Sequence, residues 1–138
     1  MQLNLTTDYA LRCLLVLSEQ KGEISSHEIS THIGIEREFT LKVLRMLREA
    51  GFVNATKGKN GGYYLERPLS DITLLEILTV MEDTMFVNRC LEPDNYCSRH
   101  GVEAGCPAHK FYLAFQDKLE DMLRGITLQD VVNESYKL

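Results

Sequence analysis

Cys90, Cys97 and Cys106 lie in one stretch of the chain with the spacing C-x6-C-x8-C, and Pro107-Ala108-His109 follows at once. Thiolates are soft ligands, and a flexible segment carrying three of them can fold round one metal centre. Pro107 suits the first position of a helix, so Cys106 stands at a helix N-terminus, where the helix dipole favours its thiolate. His109 lies about one helical turn beyond Cys106, and its imidazole can approach the same centre. Zinc and iron-sulfur centres both use such donors. The spacing lacks the close C-x2-C pairs of zinc ribbons, and three unligated thiols gathered by chance are the plain alternative. His100 in the same stretch is an outside candidate. Cys13 stands among apolar residues near the start and reads as an inert core thiol. His27 and His32 flank a short helix and read as exposed.

A second group of residues could do chemistry through charge. The 138-residue chain carries a formal net charge of -5, which at first sight argues against a polyanionic partner. Its distribution reverses that: residues 37 to 67 hold Arg37, Lys42, Arg45, Arg48, Lys57, Lys59 and Arg67 against Glu38, Glu49 and Glu66. The acidic excess therefore lies elsewhere, and this basic stretch has the character of a local nucleic-acid footprint. A solvated helix face followed by a basic turn would give the same charge count.

The elements that must carry these groups follow from the pattern of caps and apolar spacing. Thr7 or Thr6 can cap a first helix reaching about Gln20, with Leu11, Leu14 and Leu15 on its buried face. Ser25 with Glu28 makes a capping box for a short second helix, whose Ile29 and Ile33 share one side. Gly34 supplies the turn into a third helix from about Glu36 to Ala50, ended by Gly51. Two short helices joined by a tight glycine turn form a helix-turn-helix, or any small helical hairpin. Phe52 to Lys57 then reads as a strand, Gly58 to Gly62 as a turn and Tyr63 to Leu65 as the returning strand. A basic, glycine-rich hairpin directly after a helix-turn-helix is the wing of a winged helix, with Lys57 and Lys59 placed to neutralise phosphates. The turn lacks the Gly-Lys-Ser/Thr ending of a nucleotide-binding loop and opens no helix.

On the third helix, Phe39, Leu41, Val43, Leu44, Met46, Leu47 and Ala50 spread over an apolar arc, opposite Glu38, Lys42, Arg45 and Glu49. A recognition helix presents its first turns to base edges, which makes Glu36, Arg37, Glu38, Phe39 and Lys42 the candidate readers. Arg45 and Arg48 suit phosphates. From Pro68 onward the chain turns acidic. Thr73 and Glu76 form a second capping box ahead of a helix from Leu74 to Asp83, and Thr84 to Gly105 reads as a long loop. A long helix from Pro107 to Arg124 carries Phe111, Phe115, Leu119 and Met122 along one stripe, extended by Ala114 and Leu123. So much apolar surface on so small a chain predicts a dimer interface, the alternative being packing against the winged helix in cis. Thr127 with Asp130 caps a short terminal helix. The expected fold is mainly α with a small β-hairpin wing: a winged helix-turn-helix over residues 1–67, and the cysteine loop with dimerisation helices over 68–138.

The only long apolar run near the start, Leu14 to Leu17, is too short to span a bilayer and has no basic leader, so a cytoplasmic protein without a membrane partner is expected. No nucleophile with an adjacent base is evident, and the paired acids Glu120 and Asp121 sit on a solvated helix face, so neither an enzyme nor a small-molecule substrate is expected.

The wing tip Gly58-Lys59-Asn60-Gly61-Gly62-Tyr63, the helix start Ile72-Thr73-Leu74, three cysteines before a long helix and the closing Ile126-Thr127-Leu128-Gln129-Asp130 together resemble the Rrf family of bacterial transcription regulators. The resemblance covers nearly the whole chain. It implies a homodimer whose long helices pair, winged helices that bind a palindromic operator in double-stranded DNA, and an iron-sulfur cluster whose state alters DNA affinity. Cys90, Cys97 and Cys106 match the cluster cysteines. Their intervals are longer than is usual in the family, which leaves both a 2Fe-2S and a 4Fe-4S cluster open, either of them liable to loss in air. For the fourth ligand, Cys106-x2-His109 looks like the Cys-His pair of one branch. Thr7-Asp8-Tyr9-Ala10 looks like the start of a nitric-oxide-sensitive branch, in which an Asp of the partner subunit completes the cluster. His109 ranks first and Asp8 second. Two other readings use the same residues: a regulator whose loop holds zinc or acts as a thiol switch, and a small iron-sulfur electron carrier, for which a basic wing would have no purpose.

Overall fold

The computed structural model describes residues 2–99 and 105–138, so His100 lies outside the described residues. Helix α1 (Leu5–Glu19) is followed by α2 (Ser26–Ile33), α3 (Arg37–Glu49), and the strands β1 (Val53–Ala55) and β2 (Tyr63–Leu65). A 3-10 turn at Leu69–Asp71 leads to α4 (Leu74–Met81). After the cysteine loop come α5 (Pro107–Arg124) and α6 (Leu128–Val132). The chain is thus mainly helical with a two-stranded antiparallel hairpin, in the register Val53 to Leu65 and Ala55 to Tyr63.

Three helix starts have a local cause. The expected boxes form at Ser25–Glu28, Thr73–Glu76 and Thr127–Asp130, each with the cap hydroxyl and the third-residue carboxylate serving one another's backbone N–H. The first helix differs from expectation. Its cap is Asn4, whose side-chain oxygen accepts from Thr7 N at 2.8 Å. Thr7 is pulled into the helix because its hydroxyl meets Asn4 and Glu82, and Asn4 also donates to Met81 O at 2.9 Å. A distant carboxylate on the end of α4 thereby fixes where α1 begins.

One core joins these elements. Ala10, Cys13, Leu14 and Leu17 of α1 meet Ile29 and Ile33 of α2, Val43, Leu44 and Leu47 of α3, Phe52 and Val53 at the wing base, and Ile72, Ile77, Met81 and Leu128 further on. Two backbone pairings tie the chain across itself. Ile24 exchanges hydrogen bonds with Tyr63 at 3.1 and 2.8 Å, so the α1–α2 linker flanks the hairpin. The two Ile-Thr-Leu starts also pair, Leu74 N to Ile126 O at 2.9 Å and Leu128 N to Ile72 O at 2.8 Å, which clamps α6 to α4. Among the described residues no helix is long and apolar enough to cross a membrane.

Helix α5 corrects the single-stripe expectation. Leu123 is buried, and Leu119 lines a cavity of about 290 Å³ with Leu78, Leu123, Met85 and Phe86, so this side of α5 packs in cis. Phe111, Leu113, Phe115 and Met122 remain exposed, Phe111 by 63%. The helix is apolar on two sides, and α4 with the segment that follows it covers only one.

Candidate nucleic-acid interface and cysteine pocket

Helix α3 buries Thr40, Val43, Leu44 and Leu47 and leaves Arg37, Glu38, Lys42, Arg45, Arg48 and Glu49 exposed. Thr40 escapes the apolar-arc expectation because its hydroxyl donates to Glu36 O at 3.1 Å, which satisfies it inside the core. Glu36 is the N-cap residue and makes no side-chain cap bond. Arg37 Nε donates to Ser26 Oγ of α2 at 3.3 Å, which joins the two helices of the motif. Phe39 departs from its expected place on the buried arc. It is 39% exposed and meets the Tyr9 ring edge to face, centroids 5.6 Å apart at 88°. Lys42 Nζ stands 5.5 Å from the Phe39 ring centre. This first turn and a half is therefore an exposed surface of cation, carboxylate and aromatic ring, the group types that contact base edges and thymine methyls.

The wing carries Lys57 and Lys59, both exposed. Its glycines are required by the hairpin itself. A Cβ on Gly61 would lie 2.3 Å from Thr56 O, and one on Gly62 would lie 2.6 Å from Ile24 O. Gly58 has φ +120°, a backbone region open to glycine. The sharp tip, and with it the reach of the two lysines, depends on side chains being absent there.

Residues 84–99 of the cysteine loop are irregular but not featureless. Asn88 Oδ1 accepts from Cys90 N at 3.2 Å and starts a 3-10 turn at Arg89–Leu91. Arg89 pairs with Glu92 at 2.8 Å and with Asp94, and its guanidinium lies 5.5 Å from the Tyr96 ring centre. That pairing holds the Asp94 carboxyl below the usual carboxylate range. Cys90, Cys97, Cys106 and His109 all line one cavity of about 280 Å³, with Tyr96 and Tyr112 among its walls. His109 Nδ1 lies 3.3 Å from Cys90 Sγ. Cys106 is the N-cap residue of α5, with Pro107 at its first position. Among the described residues no three His, Cys, Asp or Glu groups converge closely enough to hold a metal ion, so these donors share a cavity wall without meeting at one point. Three soft sulfurs and an imidazole round one cavity have the donor chemistry of a thiolate-ligated group. Asp8 stands apart from this cavity wall, in an i,i+4 ion pair with Arg12 at 2.7 Å. Cys13 is fully buried, and burial pushes its thiol up to about 12, which suits an inert core residue.

Tyr9, Tyr96, Tyr112 and Gln116 take part in these surroundings and were not legible as functional residues. Tyr112 and Gln116 had one signal, their spacing of three and seven residues from His109 along one helix face.

Known proteins resemble this chain in family and fold. The family model Rrf2, described as an iron-dependent transcriptional regulator, matches residues 3–134. Protein aau3 of Rhizobium meliloti (strain 1021) is 32% identical, over 96% of this chain and 85% of its own length. The HTH-type transcriptional regulator IscR of Photorhabdus laumondii is 27% identical, over 94% of this chain and 78% of its own. Among solved structures, the CymR global cysteine regulator of B. subtilis superposes with a TM-score of 0.75 at 20% identity, covering 97% of this chain and 98% of its own.

Proposed function

The chain belongs to the Rrf2 family of transcriptional regulators, which are not enzymes, and from that premise we propose that its operator affinity is controlled by an iron-sulfur cluster held by Cys90, Cys97, Cys106 and His109. The observation that carries this reading is that all four side chains line one cavity. The 3.3 Å contact of His109 with Cys90 favours His109 as fourth ligand, with Asp8 of a partner subunit as the alternative. A bound cluster supplies a centre that responds to oxidation and to nitric oxide. The protein's part is to hold and to transmit. The three thiols must lose their protons on binding, and Cys106 and His109 present their donors from the first turn of α5. Helix α5 then links the loop to α4, which packs on α1 of the winged helix. A change in the loop shifts DNA affinity only by its different free energies in the two states.

In this reading residues 1–67 bind DNA and residues 68–138 sense and dimerise, in the cytoplasm. Glu36, Arg37, Glu38, Phe39 and Lys42 face bases, while Arg45, Lys57 and Lys59 hold phosphates. The exposed Phe111, Phe115 and Met122 meet a second copy of α5, which presents two winged helices to a palindromic operator. Visible absorption and Mössbauer spectra of anaerobically purified protein test the reading. A coloured protein with iron and sulfide whose operator affinity changes on cluster loss supports it; a colourless protein with stoichiometric zinc overturns it. A thiol switch is the second reading. It is favoured by the Cys90–His109 pair and by likeness to a cysteine regulator, and it requires metal-free protein to change DNA affinity on mild oxidation.

A further inference from the structure

Gln116 is 5% exposed although its neighbours Phe115 and Asp117 face solvent. A buried primary amide is costly unless its donors and acceptor are all used. Here they are. Its Oε1 accepts from Val87 N at 2.9 Å, and its Nε2 donates to Met85 O at 3.1 Å and to Glu120 Oε1 at 2.8 Å. The side chain therefore fastens the backbone of residues 85 and 87 to α5, a short step before Cys90. Asn88 follows directly and takes the Cys90 N–H. From the other side, Cys90 Sγ meets His109, which shares a face of α5 with Gln116 two turns away. The stretch from Val87 to Cys90 is thus tied at both ends to the same rigid helix.

We propose that Gln116 is a positioning residue for the cysteine pocket: by clipping the Met85–Val87 backbone to α5 it sets Cys90 opposite His109. The proposal rests on the reading of Cys90 as a cluster ligand, and it adds how the loop is held in register with the helix. Met85 and Val87 line the apolar cavity with Leu119, Leu123 and Leu78, whereas Asn88 and Cys90 line the cysteine cavity, so loosening the clip frees the loop without touching a donor.

The test uses the full chain with three variants. Gln116→Met keeps the length and loses every hydrogen bond. Gln116→Glu keeps the acceptor for Val87 N–H but sets a carboxylate against Glu120. Adding Glu120→Gln to the latter restores a donor to that pair. In metal-free Gln116→Met, amide exchange at Val87 measured by NMR should quicken about tenfold, the size of one lost buried hydrogen bond. Alkylation of Cys90 should quicken several-fold while that of Cys106 holds. In anaerobically loaded protein, cluster loss in air should quicken several-fold with a shifted visible spectrum. Gln116→Glu should behave likewise, and the double variant should recover most of the Val87 protection and cluster lifetime. Ile29→Val, a core change in α2 remote from the loop, measures the effect of general destabilisation. If Gln116→Met changes Val87 exchange and Cys90 alkylation no more than Ile29→Val does, Gln116 only fills space and the proposal is overturned. If wild-type protein takes up no cluster, the cluster reading fails, while the two metal-free measurements still decide for or against the clip.

Discussion

The winged helix and the cysteine loop are held by different kinds of force. Residues 5 to 65 bury whole side chains of Leu14, Ile29, Leu44, Leu47 and Phe52 in one core. The segment from Thr84 to Leu91 buries no complete apolar side chain and is kept in place by a few polar ties: Gln116 to Val87, Asn88 to Cys90, and Arg89 to Glu92 and Asp94. Exposed ion pairs such as those of Arg89 contribute little to stability. A reading surface has to keep its shape, whereas a sensing loop has to change shape for little free energy.

Core truncation should give the largest effect. Leu44→Ala should cost about 2–5 kcal/mol, lowering Tm and removing operator binding together. Cys90→Ser, and likewise Cys97→Ser or Cys106→Ser, should leave the Tm of metal-free protein nearly unchanged while abolishing the cluster spectrum. If Cys90→Ser melted as early as Leu44→Ala, the division between the two regions would collapse. Next come the two sides of α5. Leu119→Glu, which sets a charge beside Leu78 and Leu123, should destabilise the fold by about 2–4 kcal/mol, whereas Phe115→Glu should leave the fold intact and yield monomers on sedimentation. Equal loss of fold in both variants would mean that α5 has no free side. Gly62→Ala should cost about 1–3 kcal/mol, because the added Cβ meets Ile24 O, and it should weaken DNA binding with the cluster spectrum unchanged.

A smaller, pH-dependent effect belongs to Cys13. Its folded-state thiol stands near 12 against an ordinary 9.0, so folding favours the protonated form. The stability it contributes is fully present below pH 9 and is lost as pH rises toward 12. Melting temperatures across that window should fall less steeply for Cys13→Ala than for wild type, and the visible spectrum of that variant should stay intact. The smallest change is in the wing: Lys57→Ala and Lys59→Ala should leave Tm untouched, and each should reduce the slope of log affinity against log salt by about 0.9. An unchanged slope in the double variant would take the wing out of the DNA contact.

The chain by itself specified most elements, because the signals are local. Ser25–Glu28, Thr73–Glu76 and Thr127–Asp130 meet within single turns, Pro107 and Gly125 bracket α5, and the glycine-rich tip admits only a tight hairpin. The candidate donors Cys90, Cys97, Cys106 and His109 were legible from residue type alone. Tertiary contacts settled what no window of sequence contains. Glu82 moved the start of α1 to Asn4, Tyr9 held Phe39 at the surface, and the Ile72–Leu74 and Ile126–Leu128 segments paired with each other. The division of α5 into a packed side and an open one likewise depended on where α4 stands. Periodicity reports that a residue is apolar, and it carries no information about which partner covers it. That partner is fixed only when helices distant in sequence are packed against one another, and the same packing brings Gln116 to Val87 and His109 to Cys90.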